Sequence, residues 1–274
     1  MSPSNAGRRI RANGIEIWVE DSGRGAPLLC ISGLGYSNWC WADLQAQLSP
    51  THRVITFDNR GTGRTEKAPA PYSIAQMAQD AASVLDALGV KQTHVIGHSM
   101  GGYIAMHLAV HHAAKVKSLT LVSTTCGGPE ATPVPESTLK LWIELSTLPP
   151  IESARRGMPT SFAPGWTEKH PQRFEELLAA RLQFPTPKEC WAAQFAAAGQ
   201  YIEKGIDVSS IDKPTLVIHG TEDRVVPYPN GELLARRIKG AKLVTLQGCG
   251  HLPLLEEPKR FATLVAEHLD KSSA

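Results

Sequence analysis

Residues 94–106 read HVIGHSMGGYIAM and join a strand pattern to a helix pattern through a serine with glycines on both sides. The apolar run HVIG is typical of a buried parallel strand. Gly97 and Gly101 lack the Cβ atoms that a sharp turn would bring into collision, so such a turn exposes the hydroxyl of Ser99 at the start of a helix. A glycine-rich turn can equally hold an inert serine, so this stretch alone leaves the role of Ser99 open.

Strand and helix patterns alternate on both sides of this turn. Strands are predicted at residues 15–20, 28–32, 54–57, 94–97, 119–123, 214–220 and 241–246, and helices at 74–88 and 261–269. Most of these strand segments are continuous apolar runs, which suit strands that are buried on both faces. The alternation predicts an α/β fold with a doubly wound sheet.

The alternation breaks after Cys126. Residues 127–208 are rich in proline and contain helix-like segments at 174–182 and 189–198, but no clear strand. The sequence therefore predicts a core formed by residues 1–126 and 209–274, with a helical cap at residues 127–208 inserted between its two parts.

Composition narrows the class of partner. The 274 residues include 28 Lys and Arg against 26 Asp and Glu, with the two signs interspersed, so we expect a small-molecule partner and neither nucleic acid nor a membrane. The five cysteines form no CxxC pair, which indicates free thiols in a reducing compartment. Residues 1–14 lack the apolar core of a signal peptide. We expect a cytoplasmic protein that is a monomer or a homodimer.

Two polar residues of the C-terminal third each follow a predicted strand. They are Asp223 in HGTEDRVVP and His251 in GCGHLPLLEEP. Because the carboxyl ends of parallel strands meet at one edge of a sheet, we expect both side chains near Ser99. A serine nucleophile needs a histidine base oriented by a carboxylate, so the three residues are candidates for a catalytic triad. Glu222, beside Asp223, is the alternative acid.

Four motifs together resemble the α/β-hydrolase superfamily from about residue 15 to residue 269: DNRGTGRT, GHSMGG, HGTEDRVVP and GHLPLLEEP. The order Ser, Asp, His along the chain is that of the superfamily. The resemblance implies an eight-stranded, mostly parallel sheet flanked by helices, with a helical cap after the sixth strand, and it places the acid at Asp223. It also implies that DNRGTGRT is a structural turn in which Asp58 and Arg60 tie loops together. A phosphate loop would end in Lys-Ser/Thr, which this stretch lacks.

Two backbone N–H groups are expected to form an oxyanion hole. The N–H of Met100, at the start of the helix, is the first donor. The resemblance places the second donor in the loop of residues 31–41, at the N–H of Leu34. Relatives usually have His-Gly in this loop, whereas this chain has Ser32-Gly33. The departure removes the usual histidine side chain but keeps the backbone donor.

Residues 58–90, followed by GHSMGG, look like the branch that contains 3-oxoadipate enol-lactonases and carboxylesterases. This likeness implies a serine hydrolase that cleaves a small ester or lactone through an acyl-enzyme, with no cofactor and no metal. A C–C bond hydrolase or a perhydrolase on the same triad remains an alternative, as does a slow ligand-binding sensor. Candidate pocket residues are the aromatic cap residues Trp142, Trp166, Trp191 and Phe195, which could equally form the inner core of the cap.

Four other histidines are interpreted as structural. His107 and His111 are four residues apart, a spacing that can hold a metal on one helical face, but no third ligand accompanies them at a recognisable spacing. His98 and His219 lie at the ends of predicted strands and are expected to buttress them.

Overall fold

The structure, a computed structural model, describes residues 7–272 except for the side chain of Pro150. Its strands are β1 Arg8–Ala12, β2 Ile15–Ser22, β3 Pro27–Ile31, β4 Arg53–Phe57, β5 Thr93–His98, β6 Val116–Val122, β7 Thr215–Gly220 and β8 Lys242–Leu246. All eight belong to one sheet in the order β1-β2-β4-β3-β5-β6-β7-β8. β2 runs antiparallel to β1 and β4, and the other neighbours are parallel. The predicted eight-stranded, mostly parallel sheet is confirmed.

β1 is a strand that the sequence pattern missed. It reads RRIRA, and its three arginines are exposed, so the apolar run that marked the other strands is absent. It pairs along its whole length with β2, from Arg8 opposite Val19 to Ala12 opposite Ile15. An edge strand with charged side chains resists pairing with other chains, which explains why its composition differs from that of the central strands.

The α-helices are α1 Ala42–Leu48, α2 Ile74–Ala87, α3 Met100–His111, α4 Glu136–Leu145, α5 Pro150–Gly157, α6 Trp166–Lys169, α7 Pro171–Gln183, α8 Lys188–Lys204, α9 Pro229–Arg237, α10 Pro253–Glu256 and α11 Pro258–Lys271. The helix predicted at residues 74–88 is α2. The Ser73 hydroxyl caps its start by accepting Gln76 N–H at 3.1 Å, and Gly89 follows its end with φ +67°.

The sheet separates two apolar cores. Along β3, Leu29 and Ile31 join the core that contains residues of α2 and α3, whereas Leu28 and Cys30 join the core that contains residues of α1 and α11. Alternate residues of a strand point to opposite faces, so β3 is buried on both sides. This burial explains the continuous apolar pattern of the central strands.

The helices α4 to α8 all lie between β6 and β7, which are neighbours in the sheet. The chain leaves and re-enters the core at one place, because Ile206 N–H donates to the carbonyl of Cys126 at 2.9 Å and Gly128 N–H donates to the carbonyl of Ile202 at 2.8 Å. The helical insertion after the sixth strand therefore starts and ends side by side.

Candidate active site

Ser99 lies in the turn between β5 and α3 with φ 54° and ψ −121°, a backbone conformation that is uncommon for a residue other than glycine. The glycines around it are required by close packing. A Cβ on Gly101 would lie 2.0 Å from the carbonyl oxygen of Ile31, and a Cβ on Gly97 would lie 2.3 Å from the carbonyl oxygen of Gly101. The turn is held by Ser99 N–H, which donates to the carbonyl of Val122 at 2.9 Å.

His251 and Asp223 form a buried pair at the ends of adjacent strands. Asp223 follows β7, His251 follows β8, and the Nδ1 atom of His251 lies 2.8 Å from Oδ2 of Asp223. The Oδ1 atom of Asp223 accepts the N–H groups of Val225 and Val226, both at 2.8 Å. Burial opposes ionisation of this carboxyl, but His251 and His219 outweigh it and hold the pKa of Asp223 below its ordinary value.

His98 links the loop of His251 to the turn of Ser99. Its Nε2 atom lies 2.8 Å from the carbonyl oxygen of His251, and the two imidazole rings are 4.7 Å apart. Burial, together with the neighbouring His251, lowers the pKa of His98 to about 3, so its ring is neutral at pH 7. A carbonyl only accepts hydrogen bonds, so Nε2 carries the proton. His251 is thereby fixed against the residue that directly precedes Ser99.

His219 supports the other side of Asp223. Its Nε2 atom lies 2.8 Å from the carbonyl oxygen of Val226 and 3.3 Å from Oδ2 of Asp223. Glu222, the alternative acid, has an exposed side chain, and it is Asp223 that lies within hydrogen-bond distance of His251. The two buttressing histidines occupy the strand ends at which the sequence placed them.

The turn that carries Leu34 packs against Ser99. Tyr36 N–H donates to the carbonyl of Gly33 at 3.1 Å, and a Cβ on Gly33 would lie 3.1 Å from the Cβ of Ser99. Gly33 therefore lies against Ser99, and Leu34 is the next residue along the chain. Met100 is the first residue of α3, where backbone N–H groups lack an acceptor within the helix. Both predicted oxyanion donors thus belong to segments that border Ser99.

Ser32 is fully buried, and its hydroxyl contacts neighbouring buried side chains. The indole Nε1 of Trp41 donates to Ser32 Oγ at 3.0 Å, and Sγ of Cys40 lies 3.5 Å from it. The Nδ2 group of Asn59 donates to the carbonyl of Ser32 at 2.9 Å. Residue 32 therefore anchors the start of the turn that carries Leu34.

The segment DNRGTGRT ties loops together. The carboxylate of Asp58 accepts the N–H groups of Asn38 and Arg64, each at 2.7 Å. Arg60 makes a two-pronged contact with Asp80, with Nε to Oδ2 at 2.7 Å and Nη2 to Oδ1 at 2.6 Å. Both residues have the linking contacts that the sequence analysis expected of them.

Three of the four candidate pocket residues form one aromatic group. The rings of Trp191 and Phe195 stack at 5.1 Å, and Trp142 meets Phe195 edge-on at 6.0 Å. Trp191 reaches the turn of Leu34, since its Cδ1 lies 2.9 Å from where a Cβ on Gly35 would be. Trp166 is not in this group.

Trp166 packs elsewhere in the insertion, where it stacks on Phe162 with the ring centres 4.4 Å apart.

The rings of His107 and His111 are 5.3 Å apart, and burial together with His111 lowers the pKa of His107 to about 4. Across residues 7–272, no three His, Cys, Asp or Glu side chains are grouped so that they could hold a metal ion.

Two polar residues beside the turn were missed by sequence reasoning. Gln194 on α8 is fully buried and contacts the backbone of Gly35 and Arg60. The guanidinium carbon of Arg181 on α7 lies 4.6 Å from the ring centre of Tyr36. The available signal for Gln194 was its place in WAAQFAAAG, where it is the only amide between small and aromatic residues.

Among the described residues, no helix has the length and apolar character needed to cross a membrane.

The chain is 32% identical to a 2-hydroxymuconate semialdehyde hydrolase of Pseudomonas sp. (strain CF600), over 100% of this chain and 98% of that protein. A thermophilic esterase from Thermogutta terrifontis superposes with a TM-score of 0.83 at 27% identity, covering 97% of this chain and 100% of that one. An enol-lactonase from Burkholderia xenovorans LB400 superposes with a TM-score of 0.81 at 26% identity, covering 96% and 99%. The family model described as the alpha/beta hydrolase fold matches residues 26–258, and the chain belongs to this family of hydrolases.

Proposed function

We propose that this protein is a serine hydrolase that cleaves a small carboxylic ester or lactone. Ser99 is the nucleophile, His251 the general base and Asp223 the residue that orients the base. The observation that carries the proposal is the buried His251–Asp223 pair, held by His98 against the strained turn of Ser99. A nucleophile, a base and an orienting carboxylate on three strand ends are the parts that acyl transfer requires.

The proposed reaction has two halves. Ser99 Oγ attacks the substrate carbonyl carbon while His251 Nε2 takes the hydroxyl proton, and the carbonyl oxygen becomes an oxyanion. His251 then gives this proton to the leaving alcohol oxygen, which departs as the ester bond breaks and the acyl-enzyme forms. A water molecule repeats the sequence on the acyl carbon, and it releases the acid and restores Ser99.

The oxyanion is stabilised by the N–H groups of Met100 and Leu34. Both are backbone donors on segments next to Ser99, so they are in place before the charge develops. The dipole of α3, whose N-terminus lies at Ser99, adds a favourable potential for negative charge.

We further propose that residues 127–208 act as a cap whose aromatic group lines the acyl pocket. Trp142, Trp191 and Phe195 are the wall residues, because this group extends from the cap helices to the turn of Leu34. Trp166 supports the cap from within, through its stack on Phe162. The cap also meets the catalytic loops, since His251 N–H donates to the carbonyl of Ser161 at 2.9 Å.

The esterase and the enol-lactonase that share this fold support an ester or lactone substrate. A second candidate, hydrolysis of a C–C bond next to a carbonyl group, is favoured by the 32% identity to a 2-hydroxymuconate semialdehyde hydrolase over the whole chain. Both reactions place an acyl group on the same serine and differ in the atom that leaves.

Arg181 favours a substrate that carries a carboxylate. One guanidinium nitrogen lies 4.0 Å from where a Cβ on Gly35 would be, beside the proposed oxyanion hole. No carboxylate within the described part of the chain lies within ion-pair distance of it, so its charge is available to a ligand. Muconate, in the name of that relative's substrate, is a carboxylate anion. An ester or lactone with a free carboxylate elsewhere in the molecule would present the same charged group to Arg181.

The test is multiple-turnover hydrolysis of p-nitrophenyl esters of increasing acyl length, small lactones with and without a carboxylate, and a 2-hydroxy-6-oxo-dienoate. Wild type is compared with Ser99→Ala and with Ser83→Ala, a control serine on α2. We expect wild type and the Ser83 variant to turn over a subset that Ser99→Ala does not. Retained turnover in Ser99→Ala would contradict the proposal.

The same panel separates the alternatives. Faster turnover of the dienoate than of every ester and lactone would support the C–C hydrolase. A ligand that raises Tm without multiple turnover would support a ligand-binding sensor.

Arg181→Met is expected to raise KM for the substrates of the panel that carry a carboxylate and to leave KM for the neutral esters unchanged.

A further inference from the structure

Three side chains of the helical insertion hold Gly35, the residue that follows Leu34. Gln194 Oε1 accepts Gly35 N–H at 2.9 Å, and Thr186 Oγ1 donates to the carbonyl of Gly35 at 3.3 Å. Trp191 covers the remaining side of Gly35, where a Cβ would lie 2.9 Å from its ring. Gly35 itself has φ +68°, which suits glycine and lets the turn pass close to the indole.

The amide of Gln194 can satisfy both of its partners in only one orientation. Gly35 N–H is a donor and needs the amide oxygen, and the carbonyl of Arg60 is an acceptor and needs the NH2 group, which donates to it at 2.9 Å. The side chain is fully buried, so water cannot replace either partner without rearrangement. Gln194 therefore joins the turn of Leu34 to the loop of Arg60.

The other end of the same turn is fixed by the same loop, because Asn59, the residue before Arg60, donates to the carbonyl of Ser32 at 2.9 Å. The loop is itself anchored, because Arg60 forms a buried ion pair with Asp80. The turn from Ser32 to Gly35 is thus fastened at both ends, with Leu34 between the two anchors.

We propose that Gln194 is a positioning residue of the oxyanion hole. By accepting Gly35 N–H it fixes the Leu34–Gly35 peptide, and this directs the neighbouring Leu34 N–H at the oxygen of the reacting carbonyl. The inference rests on the proposed serine hydrolase function. Its consequence is that the cap helix α8 supports the chemistry as well as the pocket, because it supplies the acceptor that sets one oxyanion donor.

The test compares a p-nitrophenyl ester that wild type hydrolyses with its thiono analogue, in which sulfur replaces the carbonyl oxygen. Sulfur accepts hydrogen bonds weakly, so an aligned oxyanion hole makes the ester the better substrate. Gln194→Met removes the acceptor at similar volume. Tyr201→Phe is the matched control, since it removes a buried hydroxyl from the same helix that faces Thr125 and Met106.

We expect Gln194→Met to lower kcat for the ester by about tenfold or more, with KM changed by less than about twofold, and to shrink the preference for ester over thionoester. Tyr201→Phe is expected to keep the wild-type preference. If Gln194→Met does not fold, Gln194→Ala, which also lacks the acceptor, takes its place with the same expectation. Tm is measured for each variant, so that loss of stability is separated from loss of alignment.

A folded Gln194 variant that keeps the wild-type preference for the ester overturns the proposal, whether its kcat falls or not, because a merely structural role lowers both substrates alike. In that case wild type still hydrolyses the ester and Ser99→Ala does not, so the proposed function stands. If wild type hydrolyses neither substrate, the proposed function fails and this inference fails with it.

Discussion

The Nδ1 atom of His251 lies 2.8 Å from Oδ2 of Asp223, and the second oxygen of that carboxylate is held by two backbone N–H groups, those of Val225 and Val226. The carboxylate therefore cannot rotate away from the imidazole. Because an ionised carboxylate only accepts hydrogen bonds, Nδ1 carries the proton, and Nε2 keeps the lone pair that a general base needs. The geometry selects the tautomer before any substrate arrives.

Asp223→Asn is expected to lower kcat by about 10³–10⁴-fold and to leave KM nearly unchanged. The asparagine oxygen can still accept the N–H groups of Val225 and Val226, which turns the NH2 group toward Nδ1 and favours the wrong tautomer of His251. Steady-state kinetics on the best ester of the panel measures the effect.

Glu222→Gln is the control for this prediction, since it removes the neighbouring carboxylate, which is exposed. We expect its kcat to match that of wild type. A large loss in Glu222→Gln combined with a small loss in Asp223→Asn would assign the orienting acid to Glu222.

Two glycine substitutions are expected to have opposite effects. Gly101→Ala places a Cβ 2.0 Å from the carbonyl oxygen of Ile31, a backbone atom that can move only if β3 moves. We expect the free energy of unfolding to fall by about 1–3 kcal/mol and activity to fall with it. Gly199→Ala adds its Cβ on the exposed side of α8, where nothing lies within 4 Å, and should stabilise by about 0.5–1 kcal/mol.

Urea unfolding of both variants, with wild type as reference, checks this pair. Activity in Gly199→Ala is expected to stay at the wild-type level. Equal stability of Gly101→Ala and wild type would mean that the strand and the turn can separate without cost, against the packing described for Ser99.

The central strands were predictable because burial on both faces leaves a local signature. β3, β5 and β7 are buried along nearly their whole length, and the runs at residues 28–32, 94–97 and 214–220 fall within these strands or overlap them. β1 gave no such signature, since its arginines face solvent and its pairing with β2 depends on a neighbour in space. Its place in the sheet follows from β2, which the pattern had found.

The candidate site was predictable where a residue type and a strand end coincide. Ser99, Asp223 and His251 each follow a recognisable strand, so topology alone brings their loops to one edge of the sheet. Gln194 lies 159 residues from Gly35, and nothing local in its helix indicates that partner. The division of the cap tryptophans, with Trp166 apart from Trp142, likewise depends on how short helices pack together.

Buried histidines make stability depend on pH. Burial lowers the pKa of His94 and His107 to about 4 each, with nearby positive groups adding to the effect. In the unfolded chain these groups titrate near 6.5. Between pH of about 6.5 and 4 the unfolded state therefore binds more protons, so the free energy of unfolding falls as pH falls through this window.

His107→Gln is expected to flatten this dependence, because glutamine takes up no proton in either state. Urea midpoints at several pH values between 7 and 4 measure the slope for wild type and for the variant. Ser83→Ala, which removes no titratable group, should keep the wild-type slope. A His107→Gln slope as steep as that of wild type would show that this histidine does not contribute.

Arg60 and Asp80 form a buried ion pair, in which their side chains are 3% and 1% exposed. Removing one partner of a buried pair leaves an uncompensated charge, so Arg60→Met is expected to lower the free energy of unfolding by about 3–5 kcal/mol. Asn13, which donates to Asp80 Oδ1 at 2.7 Å, cannot neutralise that charge. Removing both charges in Arg60→Met/Asp80→Leu should recover most of the loss.

Arg11→Met is the matched control, because Arg11 pairs with Glu16 at 3.8 Å with both side chains exposed, and its loss should change stability by less than about 0.5 kcal/mol. Urea unfolding of the single and double variants gives the coupling energy between Arg60 and Asp80. Losses that simply add in the double variant would mean that the two residues act independently. A recovery of stability in the double variant would show that the single variant is destabilised by the unpaired carboxylate of Asp80. It would also show that the loop of Asn59 and Arg60, which contacts Ser32 and Gln194, depends on charge balance at this pair.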